Sequence, residues 1–198
     1  MKLLLARHGQ SQWQTRVGEL TPFVPLTELG ERQAHTLGAY LAQSELIHAV
    51  VTSTMRRAQH TAEIVASYLG LTPVEEHDLR EFEEWEEGGW SPLPVSMWDP
   101  APAVPEFSPA YGRFRARVAE ALKRAVASMA PDQTLLIVAH GGTIGVILRL
   151  ILGSDTPRLW AANTALHLVE WDRPEWGASW VVHYLNNLEH LPVELRTS

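Results

Sequence analysis

The segment Leu135-Leu136-Ile137-Val138-Ala139 is the clearest indicator of fold class in this chain. Five consecutive apolar residues, with a polar residue on each side, are typical of a short strand buried on both faces of a sheet. His140-Gly141 follows at once, and a largely apolar stretch from Gly142 to about Leu152 predicts a helix. A buried strand that runs directly into an apolar helix indicates an α/β fold with a parallel sheet.

The rest of the chain repeats this alternation. We predict further strands at 2–6, 47–52, 165–171 and 179–185, with helices after Thr27, over about 54–69 and from Tyr111 to about Met129. Gly70 is the expected stop of the second of these helices. The pattern predicts a three-layer αβα sandwich with a mostly parallel central sheet. We expect one domain over 1–198, with a proline-rich loop or lid at about 82–109.

Composition excludes several classes of function. The 198 residues include no cysteine, which removes disulfides, thiolate metal sites and cysteine nucleophiles. The net charge of −7 argues against nucleic acid or an anionic membrane surface as a partner. The apolar start is too short for a secretory signal and no stretch is long enough to span a bilayer, so we expect a cytoplasmic protein. The sequence leaves the oligomeric state open.

Reactive or cationic side chains follow three of the predicted strands. They are Arg7-His8-Gly9 after the first, Arg57 shortly after the second, and His140-Gly141 after the strand at 135–139. Because ligands of open α/β sheets bind beyond the carboxyl ends of the strands, we expect these groups to converge. Two guanidinium groups and two imidazoles in one place require an anion, and phosphate suits the fork geometry of arginine. The glycines allow close backbone approach and offer N–H donors.

These residues, in this order, resemble the histidine phosphatase superfamily, which has the phosphoglycerate-mutase-like fold. The resemblance extends over nearly the whole chain. It rests on Leu5-Ala6-Arg7-His8-Gly9-Gln10-Ser11, Pro25-Leu26-Thr27 with Gly30 and Gln33-Ala34, Thr52 to Ala62, Leu79-Arg80-Glu81, Val138 to Gly142, Asn163-Thr164 and Asn186 to Leu191.

The resemblance implies a role for each of the central residues. His8 would attack phosphorus and become a phosphohistidine, which divides one displacement into two easier ones. Arg7, Arg57 and His140 would hold the non-bridging oxygens and match the charge of the transition state. Neither a metal nor a cofactor is implied, and the other seven histidines show no metal-ligand grouping.

The resemblance also assigns three supporting residues. Glu81 would protonate the leaving oxygen and then activate water. Gln14 stands where many relatives have asparagine and can donate an amide hydrogen bond to phosphate, and Gly141 would offer its backbone N–H. The acidic run after Glu81 supplies competing candidates for the acid, namely Glu83, Glu84, Glu86 and Glu87.

The implied activity is hydrolysis of a small phosphorylated metabolite, a phosphomonoester. Mutases of the superfamily usually carry longer insertions, for which 198 residues leave little room. Cofactor-dependent phosphoglycerate mutase is the alternative among enzymes, and a non-catalytic phospho-ligand binding protein is the alternative of another class. A glycosidase using the acidic run would leave the histidines and arginines without a role. The segment expected at the rim of the site is acidic, proline-rich and aromatic, with Trp85, Trp90 and Trp98. It suggests a leaving group with an apolar face and little further negative charge.

Overall fold

The computed structural model describes residues 1–15, 21, 23–82, 108–172 and 177–198. Its described strands form one six-stranded sheet in the order β3-β2-β4-β1-β5-β6. The first four of these strands run parallel, whereas β5 and β6 are antiparallel to their neighbours. The strands are β1 (Lys2–Arg7), β2 (Ala49–Ser53), β3 (Val74–Glu76), β4 (Thr134–Ala139), β5 (Leu166–Asp172) and β6 (Ser179–Asn187).

Helices connect the strands, and their ends follow local sequence signals. Thr27 caps the second helix by accepting the Gly30 N–H on its side chain, and Ser108 caps the fourth in the same way. Gly70 ends the third helix in the left-handed conformation, at φ 66°. The helices are α1 (Gln12–Thr15), α2 (Glu28–Ser44), α3 (Arg56–Leu69), α4 (Pro109–Ala127) and α5 (Gly141–Leu152), with 3₁₀ turns at His77–Leu79 and Val193–Leu195.

The sheet is buried on both faces, because alternate residues of its central strands enter two separate apolar clusters. Leu4 and Leu136 pack with α2 and α3, whereas Leu3, Leu135 and Ile137 pack with α4 and α5. The predicted three-layer arrangement of a mostly parallel sheet between helices is therefore confirmed. No helix in the described ranges is long and apolar enough to cross a membrane.

The structure corrects the sequence-based element bounds at several points. The predicted helix at 54–69 begins at Arg56, because Ser53 Oγ accepts the Met55 N–H and holds the chain extended up to that point. The strand β3 and the short α1 were not predicted. Val74–Glu76 has three residues with no buried apolar side chain, and it becomes a strand by pairing with β2. The predicted lid lies mostly outside the described residues, so the single-domain arrangement with a lid stays a prediction.

Strand register brings the candidate site together. Arg7 pairs with Ala139 across β1 and β4, and Thr52 pairs with Val138 across β2 and β4. The His8 N–H continues the ladder by donating to the Ala139 carbonyl at 2.9 Å. The three strands thus end at one edge of the sheet, where their next residues meet.

Candidate active site

His8 lies at the centre of this edge and is 4% exposed. Its Nδ1–H donates to the Gly9 carbonyl at 2.7 Å, since a carbonyl can only accept. In the neutral ring this leaves a lone pair on Nε2, which accepts the Arg57 Nε–H at 3.2 Å. Burial lowers the pKa of His8 well below 6.5, and the charges of Arg57 and Arg7 lower it further. His8 therefore presents an uncharged nitrogen whose electron pair faces the Arg57 guanidinium.

His140 stands beside His8, with the two ring centroids 5.1 Å apart. It is fully buried, and burial followed by the Arg57 charge lowers its pKa well below 6.5. Its Nε2 hydrogen-bonds Ser53 Oγ at 2.8 Å. Since Ser53 Oγ already accepts the Met55 N–H, its own proton can go to that nitrogen. In that tautomer Nδ1, which has no protein partner among the described residues, carries the ring proton as a donor.

The two arginines reach the site from different elements, Arg7 from the end of β1 and Arg57 from α3. Arg7 Nη1 donates to the Ala161 carbonyl at 2.6 Å, which fixes the guanidinium, while its buried Nε has no acceptor within the described part of the chain. Arg57 extends from the first turn of α3 and is 5% exposed, with its guanidinium 5.7 Å from the Trp13 ring centroid. The neighbouring Arg56 instead points outward to Glu63 at 2.9 Å. Of these two adjacent arginines, Arg57 is the one that contacts His8.

Glu81 enters the site from the turn after β3. Its Oε2 accepts the Gly142 N–H at 2.8 Å and its Oε1 accepts the Phe82 N–H at 3.0 Å. A side chain on Gly142 would overlap this carboxylate, so only glycine allows the approach. Burial lowers the pKa of the Arg7 guanidinium, and the nearby Glu81 carboxylate partly opposes this effect. The four competing glutamates at 83–87 lie outside the described residues.

Gln14 forms an amide pair with Asn163. Gln14 Nε2 donates to Asn163 Oδ1 at 2.8 Å, and Asn163 Nδ2 donates back to Gln14 Oε1 at 3.1 Å. Asn163 also donates to the His8 carbonyl at 2.9 Å and accepts from Thr197 Oγ1 at 3.0 Å. One N–H of Gln14 is therefore used within the protein, and its second N–H is the one left for a ligand.

A cavity of about 230 Å³ opens over these groups. Six of the seven predicted site residues line it directly, and the seventh, His140, is buried beside His8 with the ring centroids 5.1 Å apart. Gly141 begins α5, so its N–H has no acceptor within the helix. The lining comprises Arg7, His8, Trp13, Gln14, Arg57, Glu81, Gly141, Gly142, Leu159, Trp160 and Ala161.

The sequence did not point to several residues in and around this cavity. Asn163 stood in a motif that carried the resemblance but had no role, although a polar pair just before a predicted strand was a usable signal. The Ala161 carbonyl binds Arg7 through its backbone, which no side-chain pattern indicates. Trp13 and Trp160 were passed over because aromatic residues more often serve as packing.

Comparison with known proteins identifies the family. A profile of the histidine phosphatase superfamily (branch 1) matches residues 3–183. The chain belongs to this superfamily. A curated relative described as a probable phosphoglycerate mutase, GpmB of Cronobacter sakazakii, is 30% identical and is covered over 95% of its length by 96% of this chain.

Solved structures of other proteins share this fold. YhfR of Bacillus stearothermophilus superposes with a TM-score of 0.72 at 24% identity, covering 96% of this chain and 98% of that one. A mycobacterial glucosyl-3-phosphoglycerate phosphatase, solved with VO3, gives a TM-score of 0.72 at 22% identity over 94% and 99% of the two chains. These similarities confirm the predicted phosphoglycerate-mutase-like architecture. Within the described ranges, no group of three or more His, Cys, Asp or Glu side chains is placed to hold a metal ion.

Proposed function

We propose that this histidine phosphatase superfamily member hydrolyses small phosphomonoesters through a phosphohistidine on His8. The observation that carries the proposal is the ring state of His8. Its Nδ1–H is tied to the Gly9 carbonyl, so the opposite nitrogen keeps its electron pair inside a cavity lined by two arginines. A neutral imidazole nitrogen is a competent nucleophile, whereas an imidazolium is not.

The first step transfers the phosphoryl group to the protein. The Nε2 electron pair of His8 forms a bond to phosphorus as the bond from phosphorus to the ester oxygen breaks in line with it. Binding of the phosphate moves the Arg57 Nε–H from His8 to a phosphate oxygen, which frees the attacking electron pair. Arg7 and the Nδ1–H of His140 hold the other non-bridging oxygens, with the Gly141 N–H at the start of α5 beside them.

Glu81 supplies and recovers the proton. Each of its oxygens accepts one backbone N–H, which leaves a further electron pair on each for a proton. In the first step its carboxyl proton passes to the leaving alcohol. In the second step the carboxylate takes a proton from water, the resulting hydroxide attacks phosphorus, and His8 leaves as neutral imidazole. The products are the alcohol and inorganic phosphate.

A mutase is the second candidate, because the GpmB relative carries that description. A mutase returns the phosphoryl group to a hydroxyl of a bound sugar acid rather than to water. The two activities share the phosphohistidine and differ only in the acceptor.

Phosphate release from p-nitrophenyl phosphate tests the proposal. We expect release by the wild type, a loss of at least about 10³-fold in His8→Ala, and little change in Arg56→Ala, which alters a neighbouring surface cation. A parallel reaction with 3-phosphoglycerate and a bisphosphoglycerate primer should give phosphate rather than 2-phosphoglycerate. Undiminished release by His8→Ala would overturn the mechanism, and isomer formation without phosphate would establish the mutase.

A further inference from the structure

The outer part of the catalytic cavity is apolar and aromatic. Trp13, Leu159 and Trp160 line it beyond the phosphate-binding groups. Trp13 is 38% exposed and Trp160 is 55% exposed, so much of each indole faces solvent at the mouth of the site. Because these apolar side chains line one cavity beside polar groups and are not scattered singly over the surface, they are typical of a ligand-binding groove.

The backbone on both sides of Trp160 is anchored, although the residue itself is exposed. The segment that carries it is tied on one side by the buried Arg149, whose Nε donates to the Pro157 carbonyl at 2.9 Å. On the other side the Ala161 carbonyl accepts from Arg7 at 2.6 Å. An ion pair between Arg115 and Asp155 at 2.9 Å fixes the start of the segment. The backbone that carries Trp160 is therefore anchored on both sides, so a ligand does not have to order this segment.

Trp13 is placed by the catalytic groups themselves. Its helix α1 is joined to the site through the Gln14–Asn163 amide pair, and its ring lies 5.7 Å from the Arg57 guanidinium. The ring thus borders the phosphate position, while Trp160 borders it from the segment before β5. An alcohol group leaving this phosphate would meet indole surface on its way out of the cavity.

The charges of the cavity point in the same direction. Among the described lining residues the cations are Arg7 and Arg57, and both stand beside His8. The remaining ionisable group is Glu81, which is protonated in the proposed first step and so offers no positive charge to a second anion. A substrate carrying a carboxylate or a second phosphate would therefore find no cationic partner among these residues.

We infer that Trp160 and Trp13 select phosphomonoesters whose alcohol is uncharged and has an aromatic or broad apolar face. This inference rests on the proposed function and narrows its substrate class. Stacking on the indoles provides the attraction. The carboxylate of a sugar-acid phosphate has no cation of its own among the described lining residues, since Arg7 and Arg57 hold the phosphate.

Steady-state kinetics on three esters tests the inference, with benzyl phosphate, ethyl phosphate and 3-phosphoglycerate as substrates. We expect wild-type kcat/KM to be at least tenfold higher for benzyl phosphate than for 3-phosphoglycerate. Trp160→Ala should lower the value for benzyl phosphate about tenfold and that for ethyl phosphate less than about twofold, since one aromatic pair is worth roughly this factor. Trp160→Phe should restore most of the loss. Leu46→Ala, an exposed apolar residue outside the cavity lining, is the control and should change none of the values.

A preference of the wild type for 3-phosphoglycerate, or an equal loss for benzyl and ethyl phosphate in Trp160→Ala, would overturn the inference. Binding of benzylphosphonate, which cannot be hydrolysed, is measured by calorimetry in parallel. If the wild type cleaves none of the three esters, the proposed function fails. The roughly tenfold weaker binding of benzylphosphonate to Trp160→Ala would then still support the aromatic site, and unchanged binding would reject it.

Discussion

At the scale of single residues, the site keeps two histidines uncharged beside two arginines. Burial and the arginine charges act together on His8 and His140, and both lower the imidazole pKa. The hydrogen bond from His8 to the Gly9 carbonyl opposes this effect but is the smallest contribution. Both proposed roles require neutral rings at physiological pH, since one imidazole attacks phosphorus and the other binds a phosphate oxygen.

Removal of the Arg57 charge should raise the pKa of His8. Of the two arginines, Arg57 lowers the pKa of that ring more, and its Nε–H donates to the Nε2 that would be protonated. We expect Arg57→Gln to shift the imidazole titration of His8 to higher pH, as measured by NMR of ¹⁵N-histidine-labelled protein. Arg56→Gln removes an equal charge one residue earlier, from an exposed side chain, and should leave the titration in place. Equal shifts in the two variants would mean that Arg57 is not the specific partner.

Gly142→Ala should displace Glu81 while the fold remains intact. The added methyl group would overlap the Glu81 carboxylate, which is the end of a flexible side chain and can move away. We expect kcat to fall about 10²-fold, in the range attributed to general acid catalysis, with little change in melting temperature. Gly112→Ala on α4 is the control, because nothing lies within 4 Å of its new methyl group. Full activity in Gly142→Ala would show that Glu81 is not needed where it stands.

At the scale of elements, α4 positions the turn that carries Glu81. Arg117 Nη1 donates to the carbonyls of Asp78 and Arg80 at 2.9 and 3.0 Å. Thr143 Oγ1, from α5, donates to the Leu79 carbonyl at 3.3 Å. Two helices from one face of the sheet thus hold the 3₁₀ turn that precedes Glu81, the proposed proton donor.

Arg117→Ala should therefore act through Glu81. We expect kcat to fall about tenfold for ethyl phosphate and clearly less for p-nitrophenyl phosphate, whose leaving group needs little protonation. Glu81→Gln should show the same dependence on leaving group with a larger loss. Lys123→Ala, which removes an exposed cation from the same helix, is the matched control and should leave both rates unchanged. An equal loss for both substrates would mean that Arg117 has a general structural role only.

Much of this organisation could be predicted from sequence because it depends on strong local signals. The apolar run at β4, the cap at Thr27 and the stop at Gly70 each predicted their element correctly. The convergence of His8 with His140 followed from the rule that parallel strands end at one edge. The strand β3 and the Ala161 contact could not be predicted. The first depends on backbone pairing with β2 and the second on a backbone carbonyl, and neither leaves a side-chain pattern.

At the scale of the whole molecule, buried neutral histidines make stability depend on pH. Burial lowers the pKa of His167 and of His190 to about 4, and His8 and His140 are also lowered. Each is neutral in the folded state near pH 6 but becomes protonated on unfolding below its ordinary pKa of about 6.5. The unfolded state therefore binds more protons, so stability falls as the pH drops from about 6.5 towards 4.

Urea unfolding at pH 8, 7, 6 and 5 measures this effect. We expect little contribution from these histidines between pH 8 and 7, and a loss of up to about 1.4 kcal/mol per pH unit from each between pH 6 and 5. His190→Gln should lessen the loss of unfolding free energy between pH 6 and 5 by about the amount that one histidine contributes. A free energy of unfolding that is constant from pH 7 to 5 would contradict the burial of neutral rings.

The most direct test of the whole account is to trap the covalent intermediate. Protein mixed with ³²P-labelled phosphomonoester is quenched in alkali within milliseconds, digested, and mapped by mass spectrometry. We predict up to one phosphoryl group per chain, on the peptide containing His8, stable to alkali, lost in acid and absent from His8→Ala. Label on another residue, or full turnover by a protein that never carries label at His8, would contradict it.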